Sequence, residues 1–100
     1  MQTYFVTRHA GALDWARAHG HGSAVMLAHL DAATLAGLQA GDVVIGTLPV
    51  NLIAAACARG ARYFHLVLDL PAEARGRDIT AQDMDSFGAR LEEYRASRVP

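Results

Sequence analysis

Four short runs of apolar residues, continuous rather than alternating, set what this chain can become: Tyr4–Val6, Val25–Leu30, Asp42–Ile45 and Tyr63–Leu68. A strand with one wet face alternates apolar and polar residues. A strand covered on both faces does not. Segments of helical length separate the runs. Strand and helix in turn, with the strands covered on both sides, describe a parallel sheet between helical layers. The expected fold is α/β: a small three-layer, Rossmann-like domain with a mainly parallel sheet of about four or five strands. At 100 residues, one domain over residues 1–100 is expected.

The connecting segments carry helix signals. Gly11 permits a turn and opens a helix over about Ala12–Ala18, with Asp14 as an acid for its first turn. "HGHG", His19–Gly22, stops it. A helical turn is expected around Thr34–Leu38. Pro49 suits the first position of an alanine-rich helix that ends near Arg59 at Gly60. Thr80 with Asp83 resembles a capping box. Met84, Phe87, Leu91 and Tyr94 then recur at spacings of three, four and three, which predicts a last helix carrying one apolar stripe through Tyr94.

Charge narrows the partners. The formal net charge is −1, so no basic field attracts long nucleic acid. A small anion needs only a few local donors. All nine basic residues are arginine, so no Schiff-base lysine exists and every cation is a planar fork suited to phosphate. Cys57 is the lone cysteine, with no internal disulfide partner. No signal peptide is visible, and no apolar run approaches the ~20 residues of a membrane span. These signs point to a cytoplasmic protein. The apolar fraction of 52% is high for so short a chain, which favours a homodimer that hides apolar surface.

Open parallel sheets bind ligands outside the carboxyl ends of their strands. The first strand ends in Thr7-Arg8-His9, and the third in Gly46-Thr47-Leu48-Pro49. Both precede helices, whose N-termini offer free N–H groups and a positive dipole end. Arg8 suits a phosphate or the charge developing on one, and His9 suits proton transfer near neutrality. Gly46 admits a ligand to the backbone, Thr47 offers a hydroxyl and Asn51 an amide, while Gly11 completes the corner. Plainer roles exist beside these: Thr47 or Asn51 capping a helix, and Arg8 paired to Asp31. The spacing matches no Walker loop and no G-x-G-x-x-G. His19 and His21 make a poor metal site with no third ligand, and no metal or cofactor is expected. His29 and His65, flanked by apolar residues, read as core or interface histidines. Trp15 and Tyr63 read as packing residues, and Cys57 as core filler. Arg75 and Arg77 in "PAEARGRD" read as a charged surface turn or a phosphate-gripping loop. Phosphohistidine-type phosphatases carry Arg-His-Gly after their first strand, but Arg8-His9-Ala10-Gly11 has one residue too many.

Taken in order, "YFVTRHAGALDWA", "HLD", "GDVVIGTLPVNL", "ARGARYFHL", "LDLPAEARG" and the "IT" before the last helix run over nearly the whole chain. This ordered set resembles the sixteenth Csx family of CRISPR-associated proteins, with "GTLPVNLIAAACARGARYFHL" as the strongest block. The resemblance implies a CARF-like domain and a role in type III CRISPR defence. It implies a ring nuclease that cleaves cyclic oligoadenylate, above all cyclic tetra-adenylate, without a metal. In that reading Arg8 and His9 are the catalytic candidates. Thr7, Gly11, Gly46, Thr47, Leu48, Pro49 and Asn51 bind the ligand. The alternative is a sponge or sensor that binds the ring without cutting it.

Overall fold

A computed structural model describes residues 1–100. The chain runs β1 (Thr3–Val6), α1 (Ala10–Ala18), β2 (Val25–Leu27), α2 (Ala32–Ala36), β3 (Val43–Gly46), α3 (Val50–Ala58), β4 (Arg62–Val67), a 3-10 turn (Ala72–Ala74), α4 (Ala81–Ser86) and β5 (Arg90–Tyr94). The five strands form one sheet in the order β2-β1-β3-β4-β5. The first four are parallel, and β5 runs antiparallel to β4. This is the α/β architecture that the continuous apolar runs imply.

The pleat divides the core between the two faces of the sheet. Val6, Val44 and Tyr63 pack with Leu38, Ile53 and Ala56, so α3 and the segment just after α2 cover one face. Phe5, Ile45 and Leu66 pack with Ala12, Trp15, Ala16 and Met84, so α1 and α4 cover the other. Neighbouring residues of β1 and β3 thus feed opposite cores. That is why these strands read as continuous rather than alternating.

Buried Asp42 closes the turn before β3. Its carboxylate accepts from the backbone N–H of Gln39 and of Gln2, each at 2.9 Å. Those two donors hold its pKa below the ordinary carboxylate value.

The last helix is shorter than its apolar spacing predicts. Thr80 and Asp83 do form a capping box, each side chain accepting from the other's backbone N–H. The helix then ends at Ser86. Gly88 takes φ +70°, a left-handed conformation that glycine adopts at no steric cost. Ala89 N–H bonds to Met84 O and Gly88 N–H to Asp85 O, which closes a Schellman motif. Leu91 and Tyr94 therefore lie in β5, opposite Leu66 and Tyr63, and not on a helical stripe. Their spacing from Met84 and Phe87 is coincidence. Gly60 ends α3 by the same pair of bonds, as the sequence indicates.

Smaller shifts occur at other helix starts. α1 begins at Ala10, so Gly11 is helical and Asp14 falls beyond the first turn, where it pairs with Arg17 at 3.5 Å. Pro49 is the residue flanking α3 rather than its first member. α2 begins at Ala32, with Asp31 accepting from Thr34 N–H at 2.7 Å.

Candidate functional site

Strand order decides where a site can form. The chain leaves β1 toward β2 and later returns to add β3 on the other side of β1. The crevice between β1 and β3 is the switch point at which open α/β sheets bind ligands, and this order matches the flavodoxin-like one. Thr7-Arg8-His9 follows β1, and Thr47-Leu48-Pro49 follows β3. The two stretches singled out from sequence are thus neighbours at one end of the sheet.

Two hollows open there. One, of about 340 Å3, lies toward α1 and α4 and is lined by Thr7, His9, Thr47, Arg77, Asp78 and Ile79 among others. The second, of about 350 Å3, lies toward α3 and includes Arg8, His29, Leu48 and Pro49. Val6, Thr7, His9 and Thr47 line both. The pair of hollows therefore straddles the sheet end, with Val6 at its base and Thr7, His9 and Thr47 on the ridge between them.

Thr7 is half-buried, and its hydroxyl accepts from His9 N–H at 3.2 Å, which fixes the bend out of β1. Arg8 and His9 are exposed. Arg8 forms no salt bridge, Asp31 instead capping α2, so the guanidinium is free to meet an anion. His9 flanks the start of α1 without capping it through its side chain. No side chain caps α3 either, so neither Thr47 nor Asn51 has that role.

The two glycines have packing tasks. A Cβ on Gly46 would lie 2.9 Å from Val6 O, so glycine lets β3 close against β1. A Cβ on Gly11 would collide with the Ile79 carbonyl, so glycine lets α1 meet the segment before α4. Gly11 lines neither hollow, and Asn51 faces a separate hollow between α3 and the C-terminal segment. The structure brings together Thr7, Arg8, His9, Gly46, Thr47, Leu48 and Pro49, and leaves Gly11 and Asn51 outside.

Three further contributions come from outside the two strand-end stretches. Of the two arginines read as a charged surface turn or a phosphate-gripping loop, Arg77, with Asp78, forms a wall of the first hollow, and Arg75 does not line it. Arg77 is held 3.4 Å from Asp83, the carboxylate of the α4 capping box. His29 is exposed on the second hollow, not in the core. Tyr63 is buried as a packing residue should be, but its hydroxyl also reaches the site turn. It donates to Gly46 O at 2.9 Å and accepts from Leu48 N–H at 3.0 Å. Burial pushes the Tyr63 phenol above its ordinary pKa, against the pull of the Leu48 N–H. The signal was available: a buried tyrosine hydroxyl needs a partner.

The two hollows offer two guanidiniums (Arg8, Arg77), two imidazoles (His9, His29), two hydroxyls (Thr7, Thr47) and two helix N-termini without a side-chain cap, against one carboxylate, Asp78. That set suits an anion better than a cation. No group of three or more His, Cys, Asp or Glu side chains is arranged to hold a metal ion. No helix is long and apolar enough to cross a membrane.

A family model described as "Putative CRISPR-associated protein (Cas_VVA1548)" matches residues 4–97. No curated protein and no solved structure shows significant similarity to the chain.

Proposed function

The chain belongs to that family of CRISPR-associated proteins, and from this premise we propose that it is a ring nuclease of type III CRISPR defence. Its substrate is cyclic oligoadenylate, in particular cyclic tetra-adenylate. The observation that carries the proposal is the switch-point crevice, where Thr7-Arg8-His9 meets Gly46–Pro49 around two adjoining hollows. The resemblance to the sixteenth Csx family supplies the ligand.

The chemistry is an internal transesterification. A ribose 2′-hydroxyl attacks the adjacent phosphorus, and the bond from phosphorus to the 5′-oxygen breaks. The product is linear, with a 2′,3′-cyclic phosphate at one end and a 5′-hydroxyl at the other. The crevice holds the attacking and leaving oxygens in line, which is catalysis by positioning. Arg8 neutralises charge on the phosphorane. His9 takes the 2′-hydroxyl proton and returns one to the leaving oxygen. Thr7, Thr47 and the backbone from Gly46 to Pro49 hold phosphate and ribose.

Each hollow is at the small end of the ~300–1,000 Å3 typical of ligand sites. One crevice thus takes part of a four-nucleotide ring. A two-fold homodimer, with two crevices facing one ring of matching symmetry, completes the site. Light scattering that finds a monomer with and without ligand removes this arrangement.

One observation favours a sponge or sensor that binds without cutting. The His9 imidazole takes part in no hydrogen bond that would orient it as a base. Incubation with excess labelled cyclic tetra-adenylate separates the readings. Several turnovers per site identify the nuclease, and a stoichiometric plateau of intact ring identifies the sponge.

A further inference from the structure

Two backbone groups of the β3–α3 turn, the Gly46 carbonyl and the Leu48 N–H, converge on the hydroxyl of Tyr63. A third group meets the same oxygen: His65 Nδ1, at 2.6 Å. Tyr63 and His65 are two residues apart on β4, so the pleat turns both side chains to the α3 face.

Only one proton arrangement makes all three contacts hydrogen bonds. A phenol carries one proton, a carbonyl oxygen only accepts and a backbone N–H only donates. The Tyr63 proton therefore goes to Gly46 O. The oxygen's lone pairs face the Leu48 N–H and the imidazole. The imidazole contact is a hydrogen bond only if His65 carries its proton on Nδ1. Were Tyr63 to donate to His65 instead, two oxygens would face each other at 2.9 Å with no proton between them.

We infer that Tyr63 and His65 are positioning residues for the candidate site, acting together through the turn. His65, as the Nδ1–H form, fixes the Tyr63 hydroxyl rotor. That hydroxyl in turn fixes the carbonyl and amide that shape Gly46–Leu48. Neither side chain lines the two hollows, so any effect on a ligand passes through the turn. The His65 ring is itself confined. Tyr94 presents its ring edge-on at 6.0 Å, and Glu92 stands opposite His65 on β5. The consequence for ring binding rests on the proposed function, but the proton count does not.

Nitrogen NMR of the wild-type protein at about pH 8 reads directly which ring nitrogen of His65 carries the proton. Nδ1–H is expected, the less common form in water, and Nε2–H overturns the inference. In Tyr63→Phe, hydrogen exchange of the Leu48 amide should quicken about tenfold, the scale of one lost hydrogen bond. His65→Leu should do the same in part. His65→Asn, whose amide N–H can stand in for Nδ1–H, should restore slow exchange. Exchange unchanged in Tyr63→Phe overturns the inference. With cyclic tetra-adenylate, Tyr63→Phe and His65→Leu should raise KM more than they lower kcat. If the wild type cleaves the ring and both variants match it, the positioning role falls. If the tautomer and exchange results hold but the wild type neither binds nor cleaves the ring, the ring-nuclease reading falls and the relay stands.

Discussion

Trp15 donates its indole N–H to Asp85 across 3.1 Å, tying α1 to α4 at a point 70 residues apart in sequence. His19 reaches the same carboxylate oxygen at 2.8 Å and stacks on the indole at 4.4 Å between ring centroids. Trp15 is 3% exposed, so the carboxylate is the partner that lets a polar ring nitrogen be buried. Asp85→Ala should therefore lower stability by about 1–3 kcal/mol, the cost of an unsatisfied buried donor. As Trp15 is the only tryptophan, its fluorescence in a urea titration reports the change without ambiguity. An unchanged midpoint would show that water replaces the carboxylate freely.

Gly11 and Gly22 give a matched pair of substitutions. Gly11→Ala drives a methyl group into the Ile79 carbonyl and should cost about 1–3 kcal/mol, as overpacking does. Gly22→Ala meets nothing nearer than Arg17 atoms at 3.9 Å and should stay within about 0.5 kcal/mol of the wild type. Equal thermal midpoints for the two variants would contradict the close approach of α1 to the segment before α4.

Arg8 and His9 are exposed at the crevice. Arg8→Ala and His9→Ala should each fold with stability within about 0.5 kcal/mol of the wild type. Cleavage of cyclic tetra-adenylate should fall by about 10²–10³ for Arg8→Ala, the range for removing one donor to developing charge. For His9→Ala the expected loss is about 10²–10⁴, as for a general acid–base group. A near-normal rate in both variants would remove these residues from the mechanism, while intact binding with no cleavage even by the wild type would favour the sponge.

Asp42 makes stability depend on acid. Its pKa in the fold is depressed by the Gln39 and Gln2 N–H groups, relative to the unfolded chain. A depressed carboxylate contributes stability that is fully present above the unfolded pKa of about 3.9 and is lost as pH falls through the lower folded value. The unfolding free energy should therefore drop below about pH 4, and Asp42→Asn should flatten that drop. Asp31 and Asp83, lowered by Thr34 and Thr80 N–H groups, act in the same sense. The slope should be shallower in Asp42→Asn than in the wild type, read by denaturant melts across the acid range.

The parallel part of the sheet was legible because burial on both faces writes itself into composition. Val43–Ile45 can be nothing but apolar when Val44 feeds one core and Ile45 the other. The strand β5 was not legible. It is an edge strand with Glu92, Glu93 and Arg90 among five residues, and only Leu91 and Tyr94 carried an apolar signal. Their distance from Met84 fits a helical period as well as a strand. Gly88 was the better guide, because a left-handed residue ends a helix whatever the later spacing. At the site, Thr7-Arg8-His9 and Gly46–Pro49 followed from a topological rule. Tyr63 and Arg77 did not, since each meets the crevice through contacts between segments distant in sequence. Register alone places Tyr63 beside Val44, and only then does its hydroxyl find the turn.

The sheet keeps the two packed halves of the molecule apart, with Tyr63 and Ile53 in one and Trp15 and Met84 in the other. At the strand ends that partition stops, and Thr7, His9 and Thr47 look into both sides. A ligand lodged across that ridge acts as a rivet through both halves. Such a ligand would border both packed halves at once, and by mass action it would raise the stability of the fold as a whole.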